Sequence, residues 1–505
     1  MSPPRTGRNT SNRANHSMIN SLKRLLSHSA LYGISDVLGR SIAFLLVPIY
    51  TNVLSTAEYG NVTLIYAFIG LMNVLFAYGM ESAFLRYYLL DKVRKMQVLS
   101  TGYITIIITS FGFTGLVFLL APQIAPVISS SGSFNEYVQL AALVLGLDAL
   151  NIIPFARLRG EGRATLFASL KLSKVLLELG GNIWLVVYLD MGARGILISN
   201  IAGSGLACLI LSILTIRHLA AGWSGQHMKD LLKFALPYIP AAASVIIIEM
   251  IDRFMIERMM GADSVGVYSA ARKLGVGMLL FVNVFRLAWQ PFFLETSEQQ
   301  DARAIFARVL TYFLVITGGV FLAISLYIDD LVRLQIGSYT FFGSAYWTGT
   351  NLVPVFLAAY ILYGLYVNLM AGVYIEKKTI YLPIVTGAAA LTSVGANMML
   401  IPRMGMYGAA TASVLAYAVL ACSLYILTRR YYPIPYEWSR LIRIVLIVGG
   451  IFTLGYLPEG DMAWLYKGGI LLAYPVLLIV TRFFNTEEIG FIKRRLGTLP
   501  YFPKS

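Results

Sequence analysis

Apolar runs long enough to cross a lipid bilayer recur along this chain almost from end to end, and no other feature restricts its fold as tightly. A helix needs roughly 20 mainly apolar residues to span the hydrocarbon. That template fits fourteen times, at about 27–53, 60–88, 97–121, 136–158, 163–189, 193–217, 231–259, 264–295, 302–327, 351–377, 378–402, 406–430, 438–457 and 463–483. Lipid-spanning strands would alternate polar and apolar residues over about ten positions, and runs such as Ile104–Leu120 show no such alternation. Only 13% of the residues are charged, against about 25% in ordinary globular chains, and mean hydropathy is +0.70. The expectation is an all-α polytopic membrane protein with about 14 transmembrane helices.

The formal net charge of +15 does not point to nucleic acid, because the basic residues are scattered at the ends of apolar runs and form no basic domain. They fix orientation instead, since Lys and Arg collect on the cytoplasmic side. With the N-terminus inside, the inner joints carry Lys92, Arg94, Lys95, Arg157, Arg159, Arg163, Arg217, Lys229, Lys377, Lys378, Arg429, Arg430 and Arg440. The outer joints carry Arg194, Arg333, Arg403 and Lys467. Both termini are therefore expected in the cytoplasm of a cell with the chain in its cytoplasmic (inner) membrane. Residues 1–20 lack the apolar core of a signal peptide and read as part of a disordered cytoplasmic tail. Cys208 and Cys422 lie within apolar runs, and His16, His28, His218 and His227 lie in the tail or near inner joints. Neither set suggests a metal site, a disulfide framework, a cofactor or a catalytic triad.

An internal repeat organises the helices. Residues 191–217 align without gaps to 404–430, sharing Met191/Met404, Gly192/Gly405, Gly195/Gly408 and a terminal Ile-Leu-Thr-x-Arg. A weaker match sets Glu58-Tyr59-Gly60 against Ser264-Val265-Gly266. Helices one to six thus repeat as seven to twelve in the same direction, a parallel repeat of the kind transporters use. The expected division is a tail at 1–26, a six-helix lobe at 27–217, a cytoplasmic linker at 218–230, a second lobe at 231–430, helices thirteen and fourteen at 431–485 and a tail at 486–505. The small residues shared by the matched segments also have a plainer reading as helix packing.

Charged residues deep within helices carry the functional signal, because each costs at least about 2.5–3.5 kcal/mol at the bilayer centre unless it faces protein or water. Asp36 and Arg40 share one face of helix one, Asp148 lies in helix four, and Lys171, Lys174 and Glu178 form one stripe of helix five. Helix seven carries Glu249, Asp252, Arg253, Glu257 and Arg258, and helix eight adds Arg272 and Lys273. A guanidinium suits bidentate contact with phosphate oxygens, so Arg40, Arg253 and Arg272, with Lys273 and Lys174, are the expected anion-binding groups of a polar cavity. Asp36, Asp148, Glu178 and Asp252 are candidates for coupling to an ion, H+ or Na+. The competing reading is that these charges only pair with one another. Arg86 and Arg286 read as interfacial anchors at the inner ends of helices two and eight, and Pro154, Pro237, Pro240 and Pro291 as kinks or hinges. The longest outer joint, about 328–350, is too short to hold a catalytic domain, so no enzyme is expected.

Several segments resemble a known family. They are Leu231-Leu232-Lys233-Phe234-Ala235-Leu236-Pro237, Ile251-Asp252-Arg253-Phe254-Met255-Ile256, the stretch from Gly261 to Lys273 (GADSVGVYSAARK), Leu54–Gly60 (LSTAEYG) and Ile401–Ala410 (IPRMGMYGAA). Together they are similar to the polysaccharide or oligosaccharide flippases of the multidrug/oligosaccharidyl-lipid/polysaccharide exporter superfamily, over most of residues 27–430. The resemblance implies two six-helix lobes around a central cavity, two further C-terminal helices, and alternating access for an undecaprenyl-diphosphate-linked oligosaccharide, in a protein that works among membrane lipids as a monomer. The Asp252-Arg253 and Arg272-Lys273 pairs match family positions, whereas Glu249 and Glu257 do not. A cation-coupled drug antiporter of the same superfamily would favour an acidic cavity, and a membrane glycan polymerase or ligase would need a large outer loop.

Overall fold

The computed structural model describes residues 46–90, 94–129, 132, 134–219, 222–337, 339–455 and 463–484. The described residues are almost wholly helical and fall into two compact units that divide between Ser269 and Ala270. The first unit holds the end of α1 (46–53), α2 (Thr56–Ala77), α3 (Met80–Leu90), α4 (Lys95–Leu119), α5 (Ala121–Ile128), α6 (Phe134–Gly160), α7 (Ala164–Asn182), α8 (Gly192–Ile216), α9 (Gly225–Ala235), α10 (Tyr238–Met260) and the start of α11 (Ala262–Leu274). The second holds α12 (Val276–Thr296), α13 (Ala302–Val332), α14 (Val353–Ile375), α15 (Leu382–Met404), α16 (Met406–Tyr431), α17 (Trp438–Gly455) and α18 (Ala463–Val480). Among the described residues the only strands are the two-residue pair Gln335–Ile336 and Tyr339–Thr340, inside the long joint between α13 and α14.

Ten helical segments are long and apolar enough to span, and the bent pair α9/α10 makes an eleventh. Three more complete the count of about fourteen. The charges of α7 spoil its hydropathy without shortening it, α18 is apolar but brief, and most of the first expected span lies outside the described residues. The chain is a multi-pass, all-α membrane protein.

Expected single helices are broken where the sequence supplies a reason. The second span turns at Tyr78 and Gly79, both at positive φ, which glycine adopts without the Cβ penalty. The seventh bends by 41° between α9 and α10, where Pro237 and Pro240 cannot donate to the helical ladder. The eighth splits at Gly275 into α11 and α12. Helix five leaves α-geometry for a π-helical turn, Ile183–Tyr188, and α5 is an added short helix between α4 and α6. α2 starts on a capping box, with Ser55 Oγ accepting from Glu58 N and Glu58 accepting from Ser55 N.

The weaker repeat match has a physical counterpart. A Cβ placed on Gly60 would lie 2.0 Å from the carbonyl oxygen of Ala262, and one on Gly266 would lie 2.0 Å from that of Thr56. Thr56 and Ala262, like Gly60 and Gly266, are 206 positions apart. The two repeat-related helix starts therefore pack on each other reciprocally, each glycine receiving the other segment's backbone. Thr56 Oγ1 also donates to Asp263 beside this contact.

Candidate functional site

In the first unit, α6, α7, α8 and α2 converge on a polar cluster. Lys174 and Glu178 are one turn apart on α7, so both face α6 and α8. Lys174 Nζ lies 2.5 Å from Asp148 Oδ1 and 3.7 Å from Glu178 Oε1. Ser204 Oγ donates to the same Asp148 oxygen at 2.7 Å. One turn earlier on α8, Asn200 donates to the Tyr66 hydroxyl of α2 at 2.7 Å. The helices come this close because position 203 is glycine: a Cβ there would sit 2.6 Å from Glu178 Cγ. Two carboxylates and one ammonium leave a unit negative charge when all are ionised, in a site where the side chains of Lys174 and Glu178 are only 20% and 21% exposed. The arrangement can hold one further proton or monovalent cation.

A second cluster forms where α10 meets α11. Asp252, 1% exposed, accepts from Tyr268 Oη at 2.5 Å, from Arg253 N at 2.9 Å and from Arg253 Nη1 at 3.2 Å. Arg253 Nη1 also donates to the Glu249 carbonyl at 2.6 Å, so part of its guanidinium is committed to its own helix. Glu257 is buried, with Oε1 accepting from Ser129 Oγ at 2.8 Å. Arg272 is buried with its guanidinium 5.9 Å from the Phe356 ring centre, and Lys273 is half-buried.

Of the residues singled out in the sequence, Asp148, Lys174 and Glu178 form one cluster and Asp252 and Arg253 belong to another. Asp36 and Arg40 lie outside the described residues. Sequence reasoning missed Ser204, Asn200, Tyr66 and Tyr268, single polar residues that apolar runs commonly contain. The spacing of Asn200 and Ser204, one helical turn, was the available signal. Arg86 stacks on Phe234 at 4.7 Å. Arg286 lies in α12, which ends at Thr296, and its Nη1 donates to the Tyr363 hydroxyl of α14 at 3.0 Å.

Comparison with known proteins follows from this geometry. The profile of a family described as "Polysaccharide biosynthesis protein" matches residues 49–339, more than half the chain. The fold is similar to that of lipid II flippase MurJ in an inward closed conformation, at 15% identity and a TM-score of 0.72, covering 90% of this chain and 99% of that one. It is also similar to an inward-facing multidrug resistance MATE family transporter of the MOP superfamily, at 15% identity and a TM-score of 0.61, over 80% of this chain and 94% of the other. A MOP superfamily transporter from Pyrococcus furiosus, described as having a binding pocket of reversed polarity, matches at 14% identity and a TM-score of 0.54, over 80% of this chain and 95% of that one. These folds belong to a flippase and to transporters rather than to enzymes. No curated protein sequence matches the chain.

Proposed function

Because the chain belongs to the polysaccharide biosynthesis protein family, we propose that it is a flippase that carries an undecaprenyl-diphosphate-linked oligosaccharide across the cytoplasmic membrane by alternating access. The observation that carries this reading is a conjunction: a family tied to polysaccharide biosynthesis, on the fold of a lipid II flippase along 90% of the chain. Arg253, Arg272, Lys273 and, in the segment outside the described residues, Arg40 supply the cationic groups that attract the diphosphate. Lys174 joins Asp148 and Glu178 in a cluster that takes up a coupling ion, H+ or Na+, and its residual negative charge supports that role. Asp36 and Asp252 are the remaining coupling candidates. Both termini lie in the cytoplasm, residues 27–217 and 231–430 are the two lobes, and α17 and α18 are an appendage. The protein acts as a monomer among membrane lipids.

The test is export of surface glycan in a strain that lacks its own flippase. The wild-type chain should restore export. Arg253→Ala and Arg272→Ala should reach the membrane in normal amount and lose export, with Arg→Lys partly active, because an ammonium keeps the charge and loses the bidentate phosphate contact. Full export by both Ala variants would end the assignment of these two residues, and no export by the wild type would end the flippase reading.

A further inference from the structure

In the second unit, α17 is held firmly on one face and stands off on the next. Phe452 meets Phe321 of α13 at 5.3 Å between ring centres. A Cβ on Gly455 would lie 2.2 Å from Leu326 Cδ2, and one on Gly318 would lie 2.9 Å from Val448 Cγ2. Small residues at these places let α13 and α17 approach closely, and α18 packs against the same pair. Between α17 and the helices α14 and α16, by contrast, lies a cavity of about 620 Å³, within the size range of small-molecule sites.

The cavity is polar at one end and apolar elsewhere. The helical segments from α13 to α17 are each long and apolar enough to span, so the joints before α14, before α16 and after α17 fall on one side of the membrane, the side expected to be outer. Asn351 lies two residues before α14, Tyr407 is the second residue of α16, and Thr453 is two residues from the end of α17. All three line the cavity and are exposed, so uncharged polar groups mark its mouth. The rest of the lining is apolar, with Pro354, Val355 and Ala358 along α14 and the Phe321 and Phe452 rings beside them. Phe321 stands eleven residues before the end of α13, about 17 Å at 1.5 Å per residue, close to the roughly 15 Å that one leaflet contributes to the hydrocarbon.

This gradation selects the occupant. A buried water needs two to four polar partners, which the apolar side chains do not offer, and an empty cleft forfeits dispersion contacts along its walls. Acyl chains of the surrounding leaflet lie at the same depth. No charged side chain lines the cavity, so a phosphate finds no counterion here. Thr453 Oγ1 donates to the Gly449 and Gly450 carbonyls of its own helix, which leaves the Asn351 amide and the Tyr407 hydroxyl as donors suited to an ester carbonyl at the head of an acyl chain.

We propose that this cavity is a phospholipid site, holding one acyl chain of the adjacent leaflet with its ester group at Asn351 and Tyr407, as a wedge between α17 and the α14/α16 pair. The test uses the full chain in vesicles of phosphatidylethanolamine, a fraction of which carries a diazirine midway along one acyl chain. One sample is irradiated in vesicles and another after exchange into detergent, and the adducts are mapped by mass spectrometry. Adducts at 351–358 and 452–453 should survive the exchange, whereas those at the exposed positions Ile108 and Phe111 of α4 should form in vesicles and vanish in detergent. Ala358→Phe and Val355→Phe, which fill the cavity, should each lower the retained adduct several-fold and leave vesicle labelling of α4 unchanged. Retention at the cavity no greater than at α4 overturns the site, and this wild-type comparison decides the matter even where a filled variant fails to accumulate. A retained adduct that persists in both filled variants also overturns it. Displacement of that adduct by an equal concentration of a polyprenyl phosphate would reassign the cavity to an isoprenoid tail and overturn the acyl-chain assignment. None of these readouts measures transport, so their failure is distinct from failure of the flippase reading.

Discussion

Lys174 shows how one side chain's neighbours decide what its removal means. Its ammonium lies between Asp148 and Glu178, so Lys174→Met leaves two carboxylates facing each other without a counterion. Breaking a buried pair from one side costs about 3–5 kcal/mol, and the partial exposure of this site puts the expected value at the lower end. The amount of Lys174→Met protein in the membrane, or its melting temperature in detergent, should fall. The combination Lys174→Met with Glu178→Gln should recover most of that loss, because the remaining carboxylate keeps its Ser204 hydrogen bond. Equal loss in the single and the double variant would mean that packing, not charge, holds the cluster. The sequence made Lys174 and Glu178 visible as an i, i+4 pair, and the cost of intramembrane charge made Asp148 conspicuous. It did not make their convergence visible, since that depends on Gly203 letting α8 approach α7, and Gly203 reads in the sequence as one small residue among many.

Helix number and position were legible because twenty-residue apolar runs admit few alternatives, whereas the breaks within helices depend on single residues whose effect is tertiary. Gly79 and Gly275 sit in runs where glycine is common, so neither marks a break by itself. The reciprocal contact of α2 and α11 was legible only as a faint three-residue match. Its packing is demanding. A methyl group on Gly60 would meet the Ala262 carbonyl and one on Gly266 the Thr56 carbonyl, each at 2.0 Å. Backbone must move to admit either. Gly60→Ala and Gly266→Ala are each expected to destabilise by the 1–3 kcal/mol typical of overpacking or more. The double variant should cost less than the sum, since the first substitution already pushes the two helix starts apart. Thermal melting of the three purified variants measures this, and strict additivity would mean that the two glycines do not share one contact.

At the scale of the whole molecule, the distribution of basic residues favours one orientation. If each of the ten clear spans, the bent pair α9/α10 and the charged α7 crosses the membrane, each joint between them has a defined side once any one of them is fixed. The inner joints of that scheme collect Lys92, Arg94 and Lys95 before α4 and Lys377 and Lys378 before α15, and the outer ones hold isolated cations such as Arg194 and Arg333. Reversing the chain would place the clusters outside, against the bias that sets topology in short loops. Reporter fusions after Arg94 and Lys378 should therefore read as cytoplasmic, and fusions after Asp190 and Ser344 as external. The four positions constrain one another. Between Arg94 and Asp190 lie α4, α6 and α7, an odd number of crossings once α5 is left out as too short to span, and between Ser344 and Lys378 lies α14 alone. If α7 failed to cross because of Lys171, Lys174 and Glu178, Asp190 would report the cytoplasm while Arg94, Ser344 and Lys378 kept their assigned sides only with a compensating change elsewhere. Asp190 reading as cytoplasmic would thus remove α7 from the membrane, and with it Lys174 and Glu178 of the polar cluster.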